Sequence, residues 1–255
     1  MSVADNQHLA DRAATLRNRE RLERNKNLLY WYQRLYRDQF SAFAQSDELA
    51  ILEIGSGVSP LSRFHPTVLT SDVMELDYVD YVFDAHDIDR LTGVDDESLD
   101  LITLTNVLHH LEKPLAFLHR ATTKLKPGGR IVATEPYFSL LSTWIFKYLH
   151  HEPVDLSITQ PQLLDIRGPV TSANIALPWL IFFRHPEWRE ELVRDFEVES
   201  LRFFSALSYM VTGGISRRIP IPHFAYRVLL PLDLICSRVA PRLCASFFTV
   251  VLRRK

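Results

Sequence analysis

The chain has 255 residues, 47% of them hydrophobic and 24% charged, with a formal net charge of −2. That length and apolar content suit one domain with insertions and a full core, and the near-neutral balance supplies no overall basic field to attract nucleic acid. The two cysteines, Cys236 and Cys244, are too few for a disulfide framework and lack zinc-type spacing, which suits a reducing compartment.

From residue 4 to about residue 45, Leu16, Leu22, Leu28, Leu29, Tyr32 and Leu35 recur at helical spacing among Arg and Glu. This predicts a covering helix or helix pair. Residues 1–20 carry both charge signs and no apolar run of the signal-peptide kind, so a cytoplasmic location is expected. Residues 50–54 form a short apolar run ending at Gly55, the pattern of a buried strand. Residues 68–70 before Asp72, and 81–83 before Asp84, repeat the plan of apolar strand and then acid.

Residues 99–104 predict a fourth strand, 114–125 a helix stopped by Pro127-Gly128-Gly129, and 130–134 a fifth strand. Strands separated by crossovers imply a doubly wound, mostly parallel α/β sheet. The pattern then loosens for about 50 residues rich in Tyr137, Phe138, Trp144, Phe146, Tyr148, Trp179, Phe182 and Phe183, as in a lid, a substrate wall or a packed sheet edge. A helix over 187–194 and strands over 196–204 and 247–252 complete the reading. The apolar stretch 228–251 is broken by Asp233, Arg238 and Arg242, short of the roughly 18 clean residues that a spanning helix needs. The organisation expected is one domain: a helical cover at 1–46, a cofactor-binding core at 47–136, an acceptor-side insertion at 137–186, and C-terminal strands and helix at 187–255.

The run Leu52-Glu53-Ile54-Gly55-Ser56-Gly57 places an acid and two glycines where a strand becomes a loop. A dinucleotide site would have a third glycine at the position of Pro60, and Glu53 would repel a diphosphate. A carboxylate suits a cationic amino-acid moiety, so charge favours S-adenosylmethionine over a nicotinamide cofactor.

Six motifs in order, Leu52 to Gly57, Thr70-Ser71-Asp72-Val73, Phe83-Asp84-Ala85, Ser98-Leu99-Asp100, Asn106-Val107-Leu108-His109-His110 and Leu125-Lys126-Pro127-Gly128-Gly129, resemble class I S-adenosylmethionine-dependent methyltransferases. They are most similar to the small-molecule group that includes quinone-biosynthesis enzymes. The resemblance implies a seven-stranded Rossmann-like sheet. It also implies that Glu53, Gly55, Ser56 and Gly57 hold the methionine end, Asp72 the ribose hydroxyls and Asp84 the adenine amino group. Val73 and Ala85 would border the adenine, and Asn106 would lie beside the methionine moiety.

A hydroxyl acceptor needs a base near neutral pKa, which directs attention to His109, His110, His150 and His151, with Glu135 and Glu152 on the same side. Of these, His109, His110, Glu135 and His151 are the catalytic candidates. No metal is expected, because adjacent histidines do not readily converge on one ion. The motifs of DNA and protein-arginine methyltransferases are missing, so a small-molecule acceptor is expected, apolar or glycan- or lipid-linked, methylated first of all at oxygen, with nitrogen and carbon as the alternatives. The Arg-punctuated stretch 219–251 adds peripheral membrane contact as an expectation. The competing reading is a methyltransferase-like binding or assembly protein without turnover.

Overall fold

In the computed structural model, which describes residues 3–41, 43, 48–150, 152–215 and 219–255, seven strands form one sheet. They are β1 (Ile51–Ile54), β2 (Leu69–Asp72), β3 (Tyr81–Val82), β4 (Leu99–Thr105), β5 (Leu125–Pro136), β6 (Phe196–Phe204) and β7 (Phe247–Arg254). Their order is β3-β2-β1-β4-β5-β7-β6. The first five run parallel, whereas β7 is antiparallel to both β5 and β6. All four residues of β1 are buried, as a strand covered on both faces requires. The chain leaves β1 towards β2 on one side and enters β4 on the other, so the order reverses there and a crevice opens beyond the carboxyl ends of β1 and β4.

The N-terminal segment forms two helices, α1 (Val3–Arg24) and α2 (Lys26–Phe40). Asn25 separates them: its side-chain oxygen accepts from the Leu28 N–H at 3.2 Å and its amide donates to the Thr212 carbonyl at 3.0 Å. Leu28, Trp31, Tyr32 and Leu35 of α2 are buried in a core shared with Ile51, Leu101 and Val251. Each such side chain contributes about 1.5–3 kcal/mol through burial, so α2 is a fixed layer of the domain.

A short helix, α3 (Leu61–Phe64), follows β1, and on the other face α4 (Pro114–Ala121) packs Leu115, Phe117 and Leu118 into the larger core. The expected helix over 114–125 therefore stops at Ala121, and Pro127-Gly128-Gly129 lies inside β5. The physical reason is tertiary pairing. Leu125 is already in register with Leu99, the register shifts between Leu99 and Leu101, and Gly128 takes φ of 76°, so this irregularity accommodates a proline that cannot donate to the ladder.

The segment after β5 is more ordered than its sequence implies. Ser139 caps α5 (Leu140–Tyr148) through a reciprocal capping box with Ser142. Later, α6 (Leu177–Trp179) runs into a wide helical turn at Leu180–Arg184 and then α7 (Pro186–Leu192). Two further helices, α8 (His223–Val239) and α9 (Pro241–Cys244), precede β7. The aromatic side chains divide three ways: Phe146 lines the crevice, Tyr137, Phe182 and Phe183 pack on Phe203 or Phe248, and Trp144 and Tyr148 point outward. No helix among the described residues is long and apolar enough to cross a membrane.

Candidate active site

The crevice is a cavity of about 900 Å³, at the upper end of the size range of small-molecule sites. One end is built from the loops after β1, β2 and β3. Gly55 has φ of 77°, in the left-handed region, and a Cβ there would stand 2.5 Å from Val107 Cγ2, so only glycine fits without strain. The Gly57 N–H donates to Asp72 Oδ2 at 2.9 Å, and the Met74 N–H donates to Asp72 Oδ1 at 3.0 Å. Each carboxylate oxygen keeps a lone pair for a further donor. Burial raises the Asp72 carboxyl above its ordinary pKa, and these backbone bonds hold it back.

Gly55, Gly57, Asp72, Val73, Asp84, Ala85 and Asn106 all line the cavity. Glu53 and Ser56 are not in that lining, since Glu53 is 1% exposed beneath the loop. Its carboxylate accepts from Ser59 Oγ at 2.5 Å and from Ser56 Oγ at 2.8 Å. Burial pushes its pKa up to about 7, against the two hydroxyl bonds. In this geometry Glu53 shapes the glycine loop from below. Asp84 accepts from the backbone N–H and ring Nδ1 of His86 at 2.9 and 2.7 Å, which hold its carboxyl below the usual range. Asn106 has φ of 59°, and its Oδ1 is buried with no hydrogen-bond partner among the described residues. A left-handed backbone and an unpaired buried acceptor on a residue that lines the cavity together mark a functional position.

The far end of the cavity is a polar corner. The His109 ring, 2% exposed, lies 4.2 Å from the His110 ring. His109 Nδ1 donates to Glu135 Oε2 at 2.6 Å, and Glu135 Oε1 accepts from the Val107 and Leu108 N–H groups at 2.8 and 2.7 Å. His110 Nδ1 donates to the Ser172 carbonyl at 2.8 Å. Glu152 then stands 3.6 Å from His109 Nε2 and 3.8 Å from His110 Nε2.

Burial opposes the charge on His109, but Glu135 and then Glu152 outweigh it and raise its pKa to about 10. Burial and the neighbouring His109 lower that of His110 to about 4. For Glu152, burial works against ionisation, yet His109 holds the carboxyl well below the usual range. Glu135 is fully buried behind His109 and is not part of the cavity lining, so it positions His109. His151 lies outside the described residues.

The site also includes groups that sequence reasoning missed. Thr15 and Asn18 of α1 line the cavity. Asp11 accepts from the Val170 and Thr171 N–H groups at 3.0 and 3.3 Å, and Arg12 donates to the Glu75 carbonyl at 2.6 Å. Thus α1 bridges the rim from the β2 side to the acceptor-side segment. Helical periodicity announces the helix, but no local signal says what it covers.

Strand order and acid-bearing loops define a Rossmann-like fold of the class I methyltransferase type. A family described as "Methyltransferase domain" matches residues 28–174, and the chain belongs to it, with S-adenosylmethionine as cofactor. No curated protein matches the sequence. Among solved structures, the chain resembles an S-adenosylmethionine-dependent methyltransferase from Mesorhizobium loti, with 17% identity, 86% of this chain and 97% of that one covered, and a TM-score of 0.46. A chain of the complex containing the Haloferax volcanii Trm112 methyltransferase activator gives 14% identity, coverage of 95% and 96%, and a TM-score of 0.50. The N-methyltransferase NodS from Bradyrhizobium japonicum, bound to S-adenosyl-L-homocysteine, gives 13% identity, coverage of 92% and 90%, and a TM-score of 0.44. At such identity the likeness is one of fold.

Proposed function

We propose that this methyltransferase methylates an oxygen of a small apolar acceptor, of the lipid-linked kind, at a membrane surface. The observation that carries this reading is the double role of α5. Its inner side chains Ile145 and Phe146 line the cavity, while Leu140, Trp144 and Tyr148 are each more than half exposed on its outer side.

Helix α5 packs beside α9, which packs on α8, and α8 carries Val228, Leu232 and Ile235, also each more than half exposed. Neighbouring helices that each expose large apolar side chains point to an interaction surface. Its charges are basic: Lys147, Arg227 and Arg242 are exposed and make no salt bridge among the described residues. The single acid of α8, Asp233, accepts from the N–H groups of Ala206, Leu207 and Ser208 and is thereby turned to the protein. An apolar face with Trp and Tyr and a basic fringe fits an anionic lipid surface.

Bound S-adenosylmethionine supplies a methyl group on a sulfonium leaving group. In this reading the loop of Gly55 and Gly57 borders its methionine end, and Asn106 lies beside the methionine moiety. Asp72 takes the ribose hydroxyls, and Asp84 the adenine amino group between Val73 and Ala85. His110 and Glu152 line the acceptor end of the cavity, beside the substrate hydroxyl in this reading. Holding the reactants in line and excluding water is the main task left to the protein.

The test is to incubate the full chain with methyl-labelled cofactor and a membrane fraction, alongside flotation on phosphatidylglycerol vesicles. Alkali-resistant label in the organic extract and co-flotation are expected. Label confined to water-soluble products, or a protein that never floats, would refute the acceptor class. Failure to bind S-adenosylhomocysteine in calorimetry would refute the cofactor assignments.

A further inference from the structure

We propose that His109, His110 and Glu152 form a site for one borderline divalent cation of the zinc class, with a coordination position open to the cavity. The residues are neighbours in the chain only in part, since Glu152 reaches the pair from beyond α5. The donor atoms of all three lie within 4.8 Å of one another. Adjacent histidines do not readily converge, but the tight turn at Leu108–His110 brings the two rings within 4.2 Å at a 40° tilt and turns both Nε2 atoms to one carboxylate.

The hydrogen bonds decide which ring atoms are available. A carbonyl only accepts, so His110 Nδ1 carries a proton towards Ser172, and its Nε2 keeps a lone pair. Glu135 also accepts two backbone N–H groups, so the His109 Nδ1 proton points to its remaining oxygen, and a bound ion takes the place of the proton that His109 Nε2 turns to Glu152. Each histidine therefore has the outer acceptor, carboxylate or backbone carbonyl, that orients metal-ligating imidazoles.

The spacing is also that of a coordination shell. The gaps of 3.6 and 3.8 Å from the two Nε2 atoms to Glu152 are longer than good hydrogen bonds. Two donors bound at about 2.0–2.2 Å around a tetrahedral ion stand roughly 3.3–3.6 Å apart, so each histidine's gap to its nearer Glu152 oxygen closes by a few tenths of an ångström, and the three donors, now within 4.8 Å of one another, draw in by up to about an ångström and a half. Two imidazoles and one carboxylate are the donor set of open zinc sites, in which a fourth position receives water or substrate. All three residues line the cavity, so that position faces the acceptor. Use of the ion to bind an acceptor oxygen rests on the function proposed above, but metal binding itself does not.

The experiment is titration of the full chain, stripped by chelator and dialysis, with zinc chloride in calorimetry and with cobalt(II) in visible spectroscopy. One equivalent of zinc and the d–d bands of four-coordinate cobalt are expected, with no comparable binding of magnesium. Glu152→Gln and His110→Gln should each weaken zinc at least about tenfold. Absence of stoichiometric zinc and cobalt binding to the wild type would overturn the proposal, as would binding unchanged in both variants. S-adenosylhomocysteine titrated into the same samples reports folding. If it binds and zinc does not, the metal site alone fails; the reverse result sinks only the cofactor reading.

Discussion

The Gly57 backbone N–H donates to Asp72 Oδ2 at 2.9 Å, which makes the loop after β1 and the acid that ends β2 a single unit. A Cβ on Gly57 would meet that oxygen at 2.7 Å and Thr15 Cγ2 at 2.8 Å. Gly57→Ala must therefore push Asp72 and α1 apart at the cavity rim. We expect affinity for S-adenosylhomocysteine to fall about tenfold, or about 1.4 kcal/mol, in calorimetry. Unchanged affinity would mean that this loop does not touch the ligand.

Glu53 makes stability depend on pH. Its folded pKa of about 7 lies above its ordinary value of 4.5, so the folded state holds a proton that the unfolded chain has released. This contribution is fully present below about 4.5 and is lost as pH rises through about 7. Urea midpoints for the wild type should accordingly include a component that declines between pH 5 and 8. The Glu53→Gln variant should show a flatter decline, and parallel profiles would contradict the assignment.

Glu135 holds three donors at once: the Val107 and Leu108 N–H groups and the His109 ring. Glu135→Ala would strand all three in a buried place. A loss of about 3 kcal/mol or more in urea unfolding is the expected result. Glu135→Gln keeps one amide oxygen for the backbone pair and should cost less. Equal losses in the two variants would show that side-chain volume matters more than these bonds.

Asp11 secures α1 over the cavity by accepting from the turn at Val170 and Thr171, with Thr171 Oγ1 also donating to it at 2.8 Å. Asp11→Ala should loosen this strap. Stopped-flow release of S-adenosylhomocysteine is expected to speed up several-fold, while the association rate changes little. A faster association with unchanged release would place the effect at entry instead.

Local pattern was enough to mark the strands, because an apolar run that ends in glycine or acid is a property of a few consecutive residues. Phe196–Phe204 is a strand over the very residues read as one, and Gly55, Asp72 and Asp84 fall where short strands release the chain. Where long-range pairing competes with local preference, pattern fails: Pro127-Gly128-Gly129 resembles a helix stop but is drawn into β5 by Leu99.

By itself, the sequence determined the strands and the glycine loop, which follow from hydrophobic periodicity and turn residues, and six motifs in order marked the cofactor class. Only the tertiary structure decided that Glu53 lies beneath the loop it precedes, bonded to Ser56 and Ser59. It alone laid α1 across the cavity and turned His109 and His110 to Glu152. It also divided the aromatic segment between cavity, core and outer face. The physical reason is common to all four: burial and hydrogen-bond partners arise from residues far apart in the chain, whose distances no spacing in the sequence records.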